Sequence, residues 1–320
     1  MSEPLRVLLT GGAGFIGSHL VDRLLDRPEI ELSVLDKLTY AGDLENVAAH
    51  RGDSRFRFVR GDVTDAASVL RLVKRADRVI HAAAESHVDR SIWNATDFVR
   101  SNVLGTHVVL EACRRTGRPL LQISTDEVYG SIEEGSFSED DPVRPNSPYA
   151  ATKAAGDLLC RAYGVTYGVP VTIVRGTNTF GPRQQPEKAI PTFVLAALRG
   201  LPLPVYGDGS NRREWLFVDD FDRAVLTVFD SGRAGEAYNV GGGHEIANLD
   251  LARMICRLAG APESLVESVP DRPGHDFRYS LQWDKLKALG WSPEVPFERG
   301  LETTVAWYRD RLAAEEVVPS

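Results

Sequence analysis

The chain has 320 residues, 43% of them apolar and 26% charged, with a net charge of −8. That length suffices for one large or two moderate domains with a substantial core, and the acidic balance argues against a broad nucleic-acid surface. Three scattered cysteines, Cys113, Cys160 and Cys256, read as reduced thiols, with neither a disulfide framework nor a metal site. No cationic-then-apolar leader opens the chain and no apolar run reaches membrane-spanning length, so the expected compartment is the cytoplasm.

Residues 5–10 read as a strand, and Gly11-Gly12-Ala13-Gly14-Phe15-Ile16-Gly17 follows at once. Residues 18–25 then show helical apolar spacing at Leu20, Val21, Leu24 and Leu25. In a strand–turn–helix unit, Gly11 and Gly14 let the backbone turn tightly and approach a pyrophosphate. Gly17 allows close helix–strand packing, and the helix start offers N–H groups to the anion. A second strand at 31–35 ends at Asp36, about 20 residues on, where an acid accepts hydrogen bonds from a ribose diol. The alternative is a tight structural turn and a solvated Asp; the strand and helix around the glycines favour a dinucleotide. Asp36 would repel a 2′-phosphate, which selects NAD over NADP.

A third strand at 57–59 leads to Gly61-Asp62-Val63, where Asp62 either faces an adenine or caps the next helix. A fourth, 78–84, ends in Ala82-Ala83-Ala84, small enough for a flat cofactor to lie against the backbone. His87, just beyond, reads as structural. Residues 98–116 are helical, with Val99, Val103, Val108, Val109 and Ala112 as apolar positions. The apolar run 119–123 then delivers Ser124-Thr125-Asp126-Glu127 past a strand end, where ligands bind in open α/β sheets. Residues 133–148 form an acidic, Pro-rich loop, which either covers the site or is a solvated face. Ser147-Pro148-Tyr149 opens a helix, so Tyr149 and Lys153 share one face at i, i+4. Such a pair alone is a common surface feature. Following a dinucleotide turn and a strand-end Thr, it reads as a base whose phenol a nearby Lys⁺ brings down.

A strand at 169–174 exits through 175–182, and alternation continues through 193–198 and 218–229 to a last strand at 237–240. Beyond Gly241 the pattern becomes helices and Pro-rich loops. The expected class is α/β, a Rossmann-like doubly wound parallel sheet with a smaller, mostly helical C-terminal substrate domain. The two interleave, with residues 1–176 plus about 212–241 holding NAD and about 177–211 plus 242–320 holding substrate.

Together these residues resemble the extended short-chain dehydrogenase/reductase superfamily. Over roughly residues 5–310 the chain is similar to its nucleoside-diphosphate-glucose 4,6-dehydratases. The glycine turn and Tyr149…Lys153 mark the superfamily. Thr125-Asp126-Glu127 is more specific, because epimerase relatives lack the acid pair. Asp36-Lys37-Leu38-Thr39-Tyr40-Ala41-Gly42, residues 83–91, Pro186-Glu187-Lys188, Arg213-Glu214-Trp215 and residues 271–276 also look like the family's strings. Two strings depart from it: Tyr149-Ala150-Ala151-Thr152-Lys153 replaces Tyr-Ser-Ala-Ser-Lys, and Thr177-Asn178-Thr179-Phe180-Gly181-Pro182 replaces Ser-Asn-Asn-Tyr-Gly-Pro.

The resemblance implies NAD contacts at Phe15, Ile16, Lys37, Leu38, Thr39 and Gly42, at Asp62, Val63, Ala82, Ala83 and Ala84, and at Ser101, Ser124 and Thr179. It implies that a sugar nucleotide, dTDP-glucose first, meets Ser86, Asn178, Lys188, Ala189, Pro204 and Tyr206, with Arg213, Asn248, Arg272 and His275. Arg213 and Arg272 suit a diphosphate, because guanidinium donates in bidentate fashion; a surface ion pair is the alternative for each. Thr125, Asp126, Glu127, Tyr149 and Lys153 would be catalytic, and no metal is expected. Tyr149 with Lys153 would deprotonate a C4 hydroxyl held by Thr125, Glu127 would take the C5 proton, and Asp126 would protonate the departing C6 hydroxyl. Apolar residues on several faces of the helices at 98–116 and 149–166 suit a homodimer. A UDP- or GDP-sugar dehydratase, a C4 epimerase and a non-catalytic NAD-binding scaffold are the competing readings.

Overall fold

The computed structural model describes residues 3–317. The chain begins with β1 (Leu5–Thr10), α1 (Phe15–Leu25), β2 (Ile30–Asp36), β3 (Phe56–Arg60), α2 (Ala66–Val73) and β4 (Arg78–His81). After α3 (Val88–Trp93) comes a composite helix of α4 (Thr96–Phe98), a π-helical segment (Val99–Gly105) and α5 (Thr106–Thr116). Next are β5 (Leu120–Thr125), α6 (Pro148–Tyr167) and β6 (Val171–Gly176). The chain then leaves the main sheet through β7 (Asn178–Phe180), α7 (Ala189–Leu198), β8 (Leu203–Tyr206) and β9 (Arg212–Phe217). It returns with α8 (Val218–Ser231) and β10 (Ala237–Val240). It ends with β11 (His244–Ala247), α9 (Asn248–Ala259), β12 (Val266–Val269), α10 (Asp284–Ala288) and α11 (Phe297–Val317).

Seven strands form one parallel sheet in the order β10-β6-β5-β4-β1-β2-β3. Helices cover both of its faces, which is why its strands are apolar runs and not alternating ones. Leu20, Leu24, Val225 and Phe229 of α1 and α8 pack one face. Val69, Val109, Cys113 and Cys160 of α2, α5 and α6 pack the other. Connections run outward in opposite directions from β1 and β4, so a crevice opens at their carboxyl ends. Among the described residues no helix is long and apolar enough to cross a membrane.

The C-terminal part holds two small sheets beyond the helices read there, β11-β9-β7 and β12-β8. Their strands are three to six residues long and pair with remote partners, such as Arg213 with Ile246 and Tyr206 with Val269. Segments that short carry no readable alternation. Phe180, Phe193, Phe217, Ile255 and Leu301 bind this part around its own core. Two further details differ from the expectation. β4 stops at His81, so Ala82–Ala84 lie in the exit loop, and the 96–116 helix contains the π segment.

A buried polar chain runs behind β5 and β6. Arg175 Nε donates to Asp157 Oδ2 at 2.9 Å, Arg175 Nη1 to the Tyr129 hydroxyl at 2.7 Å, and that hydroxyl to Asn239 Oδ1 at 2.8 Å. Arg175→Met strands a buried carboxylate and should cost about 3–5 kcal/mol in urea unfolding. Arg175→Met with Asp157→Leu should recover most of that loss. A double variant as unstable as the single one would mean that the charge pair is not the cause.

Candidate active site

A cleft of about 420 Å³ opens at the carboxyl ends of β1, β4, β5 and β6. Its floor is the glycine turn. Gly11 sits at φ +76°, and a Cβ there would lie 2.6 Å from the Ala83 nitrogen; a Cβ on Gly17 would lie 2.0 Å from the Gly11 oxygen. Turn, helix and β4 exit therefore approach closer than side chains allow. Gly14 starts α1 without a side-chain cap, so the first amides of the helix remain for an anion. Asp36 accepts the Ala13 N–H at 3.0 Å and the Leu38 N–H at 2.8 Å, which pins the turn to β2. Burial raises its carboxyl above the usual range.

Every residue expected to touch cofactor or substrate lines this cleft except Leu38 and Asp62. Leu38 has φ 58° and offers its amide to Asp36. Asp62 turns its carboxylate to the Thr64 amide and hydroxyl, both at 2.9 Å, and does not cap α2, whose N-cap is Asp65, accepting the Ala67 and Ser68 N–H groups. Ser124 Oγ, Asn178 Nδ2, Gln184 Oε1 and Trp215 Nε1 are buried in the lining without a protein partner. Buried polar atoms are normally paired, so these four, with the glycine cradle, fit a polar ligand such as a dinucleotide.

Thr125 ends β5 and caps the short turn Asp126–Tyr129. Its hydroxyl takes the Glu127 N–H at 3.3 Å, donates to Asp126 Oδ1 at 3.1 Å and reaches the Tyr149 hydroxyl. The two acids then diverge. Burial pushes Asp126 up to about 8, and Glu127 and Glu214 add to the shift. Burial also raises Glu127, but Lys188, Arg272 and Arg213 surround it and oppose the rise. The surroundings thus disfavour ionisation of Asp126, while three cations favour it at Glu127.

Tyr149 departs from the expectation. Burial raises its hydroxyl well above the ordinary phenol value, and Glu127 and Asp126 add repulsion against a phenolate. Lys153 Nζ donates to the Ile123 carbonyl at 2.6 Å, and burial lowers its own pKa against the pull of Asp157. Lys153 therefore does not bring the phenol down in this protein by itself.

The far wall is cationic. Arg272 Nη1 donates to Asp89 Oδ1 at 2.6 Å, and the Tyr206 hydroxyl to Asp89 Oδ2 at 3.0 Å. Arg213 is buried over the Tyr279 ring and donates to the main-chain carbonyls of Arg212, Asp276 and Phe277, not to an acid. Lys188 donates to the Ser86 carbonyl. A buried guanidinium bonded only to neutral carbonyls is suited to an anion. His87 accepts the Arg90 N–H at 3.3 Å and meets the Glu187 carbonyl at 3.0 Å, a capping role. The acidic loop 133–148 lies elsewhere; Phe137 and Glu139 tie it to Ser280 and Asn239.

The family described as GDP-mannose 4,6 dehydratase matches residues 8–304. The dTDP-glucose 4,6-dehydratase of Streptomyces niveus is 51% identical, over 99% of this chain and 96% of its own. The crystal structure of DesIV, a dTDP-glucose 4,6-dehydratase from Streptomyces venezuelae with NAD bound, superposes with TM-score 0.95 at 49% identity, covering 97% of this chain and 98% of that one. The chain belongs to the nucleotide-sugar 4,6-dehydratase family. A UDP-glucuronic acid 4-epimerase from Bacillus cereus also superposes, with TM-score 0.91 at 30% identity, over 96% of this chain and all of that one. The shared fold therefore does not distinguish dehydratase from epimerase.

Thr177 in the lining, and Glu214, Asn102 and His81 just behind it, were not among the site residues expected from the sequence. Thr177 and Glu214 both contact or face Asp126. Asn102 accepts the Glu85 N–H and donates to the Glu85 carbonyl and Thr152 hydroxyl, each at 2.9 Å. It thereby ties the β4 exit to the helix that carries Tyr149. Its place inside the π segment has no periodic signature. His81, below the cradle, lies 2.6 Å from Thr10 Oγ1 and 3.2 Å from Thr106 Oγ1.

Burial, helped by Lys153, pushes His81 down to about 3 from 6.5. The unfolded chain therefore binds the extra proton first, and stability falls from about pH 6.5 down to about pH 3 at up to ~1.4 kcal/mol per pH unit. His81→Gln should flatten that slope in denaturant titrations taken across this window. An unchanged slope would show that other groups govern the acid loss.

Proposed function

We propose that the chain catalyses the NAD-dependent, redox-neutral dehydration of an NDP-glucose, dTDP-glucose first, to the 4-keto-6-deoxy sugar nucleotide used in deoxysugar biosynthesis. The observation that carries this reading is the split environment of Asp126 and Glu127 at one strand end. An epimerase has no use for a protonated acid beside a cation-flanked carboxylate. The names of the close relatives agree with it. Three buried free thiols suit a reducing compartment such as the cytoplasm.

Each step follows from chemical need. The C5 hydrogen of a hexose is not acidic until C4 is a ketone. Thr125 holds the C4 oxygen and Tyr149 takes the C4 hydroxyl proton, with Lys153 behind it. Bound in the glycine cradle above Asp36, NAD would supply a reversible hydride acceptor. Glu127 takes the C5 proton, favoured by Lys188 and the two arginines. Asp126 gives its proton to the C6 oxygen, which leaves as water; the resulting C5–C6 double bond would then take back the hydride at C6 and the proton held by Glu127 at C5, so that no net oxidation remains. Arg213 and Arg272 hold the diphosphate.

Single-turnover absorbance of reduced nicotinamide, with product analysis, tests these roles. Glu127→Gln should still oxidise C4 but stall before elimination, and Asp126→Asn should slow loss of the C6 oxygen, each by about 10²–10⁴-fold. Tyr149→Phe should give no absorbance change at all. Wild-type turnover by Glu127→Gln would remove Glu127 from the role of C5 base. Asp126 must be protonated to act, so dehydration should decline as pH rises through about 8.

We also propose a homodimer. Val99 and Leu104 on the composite helix and Leu158 and Val165 on α6 are exposed by 46–80%. Light scattering at micromolar concentration should give the mass of two chains, and Leu158→Glu with Val165→Glu should give the mass of one. A monomeric wild type would exclude this assembly.

A further inference from the structure

Thr177 lies between β6 and β7, and its hydroxyl can donate either to Asp126 Oδ2, which would favour the carboxylate, or to the main-chain carbonyl oxygen of Glu214 on β9, each at 3.1 Å. All three residues are buried, exposed by 4% or less. A hydroxyl has one hydrogen to give, and a carbonyl can only accept. If Thr177 gives its hydrogen to Glu214, its oxygen faces Asp126 Oδ2 as an acceptor. Only a protonated carboxyl can use it.

The other side of Asp126 agrees. Thr125 accepts the Glu127 N–H at 3.3 Å, so its own hydrogen is available for Asp126 Oδ1 at 3.1 Å. Oδ1 is then the accepting oxygen and Oδ2 the one that bears the proton. We infer that Thr177 is a positioning residue that holds Asp126 in its acid form, accepting Asp126 Oδ2–H while donating to the Glu214 carbonyl. In this arrangement every donor has one acceptor, and the chain of bonds ends at a group that cannot reverse it.

The charged surroundings point the same way. Glu127 adjoins Asp126 in the same turn, and the Glu214 side chain faces it from β9; both oppose a second carboxylate. Glu214 is itself fixed by the N–H groups of Gly243 at 2.6 Å and Leu281 at 3.1 Å. Tyr149 faces the site from α6 and is disfavoured as a phenolate by Asp126. The consequence for catalysis rests on the dehydratase reading, but the protonation state of Asp126 does not.

The test is an infrared difference titration of the NAD-loaded holoenzyme without substrate. The protonated-carboxyl band of Asp126 is assigned by its loss in Asp126→Asn. Thr177→Val, which keeps the shape and removes the hydroxyl, should move the midpoint of this band down by roughly one pH unit. Thr177→Ser should restore the wild-type midpoint, and Thr177→Ala serves if the Val variant does not fold. The alkaline limb of dehydration should shift with the band. An upward shift would mean that Thr177 donates to the carboxylate, and an unmoved midpoint would mean that it only fills space; either overturns the inference. A protein inert on dTDP-, UDP- and GDP-hexoses that still shows the downward shift refutes the dehydratase reading and supports the role of Thr177.

Discussion

Two carboxyl groups on consecutive buried residues cannot both be ionised without strong mutual repulsion. The structure resolves this by facing them toward opposite surroundings. Asp126 meets hydroxyls and other acids, Thr125, Thr177 and Glu214, whereas Glu127 meets Lys188, Arg213 and Arg272. Much of the fold beyond the cofactor half is needed for that division. β5 delivers the pair, β9 brings Glu214 and Arg213, the start of α7 brings Lys188, and the segment after β12 brings Arg272. The small sheets, invisible to a search for periodic strands, are what place the cations.

The parallel sheet and its glycine turn were legible because they rest on local rules. An apolar run, a turn that only Gly can make and a helical stripe all lie within some 20 residues of chain. The Ser147 cap and Pro148 likewise mark the start of α6. The sheet β11-β9-β7 was not legible, because its strands come from three remote segments. Nor was the pairing of Thr177 with Asp126, since nothing in a sequence states that residues 51 apart share a hydrogen bond. Family resemblance supplied the cleft residues that spacing could not. Leu38 and Asp62 remain outside the lining, where the Leu38 N–H donates to the Asp36 carboxylate and Asp62 accepts the Thr64 N–H.

The pair Tyr149 and Lys153 shows the limit of spacing arguments. Four residues on a helix place two side chains on one face, but not in one environment. Lys153 lines the same cleft, but the Ile123 carbonyl takes its ammonium and Asp157 lies one further turn along α6. Asp157 is in turn committed to Arg175. Tyr149 faces the acids instead. Burial and the two acids outweigh the lysine at the phenol.

The cofactor side and the substrate side of the cleft are tied together. Gln185 Nε2 donates to the Ala41 carbonyl at 2.7 Å, which joins the loop after β6 and β7 to the loop after β2. His87 bonds the Glu187 carbonyl, Arg90 Nε donates to Glu187 Oε2 at 2.8 Å, and Lys188 bonds the Ser86 carbonyl. Arg90 also lies 4.0 Å over the Tyr40 ring. These contacts bridge the two loops that would flank a dinucleotide. An ordinary dehydrogenase must open such a bridge every turnover to exchange its cofactor. A reaction that returns its electrons to the same molecule has no such need. Lys188, which ties the 185–188 segment to the β4 exit at Ser86, is also a cation that favours ionised Glu127, so the same contact anchors that wall and biases the base.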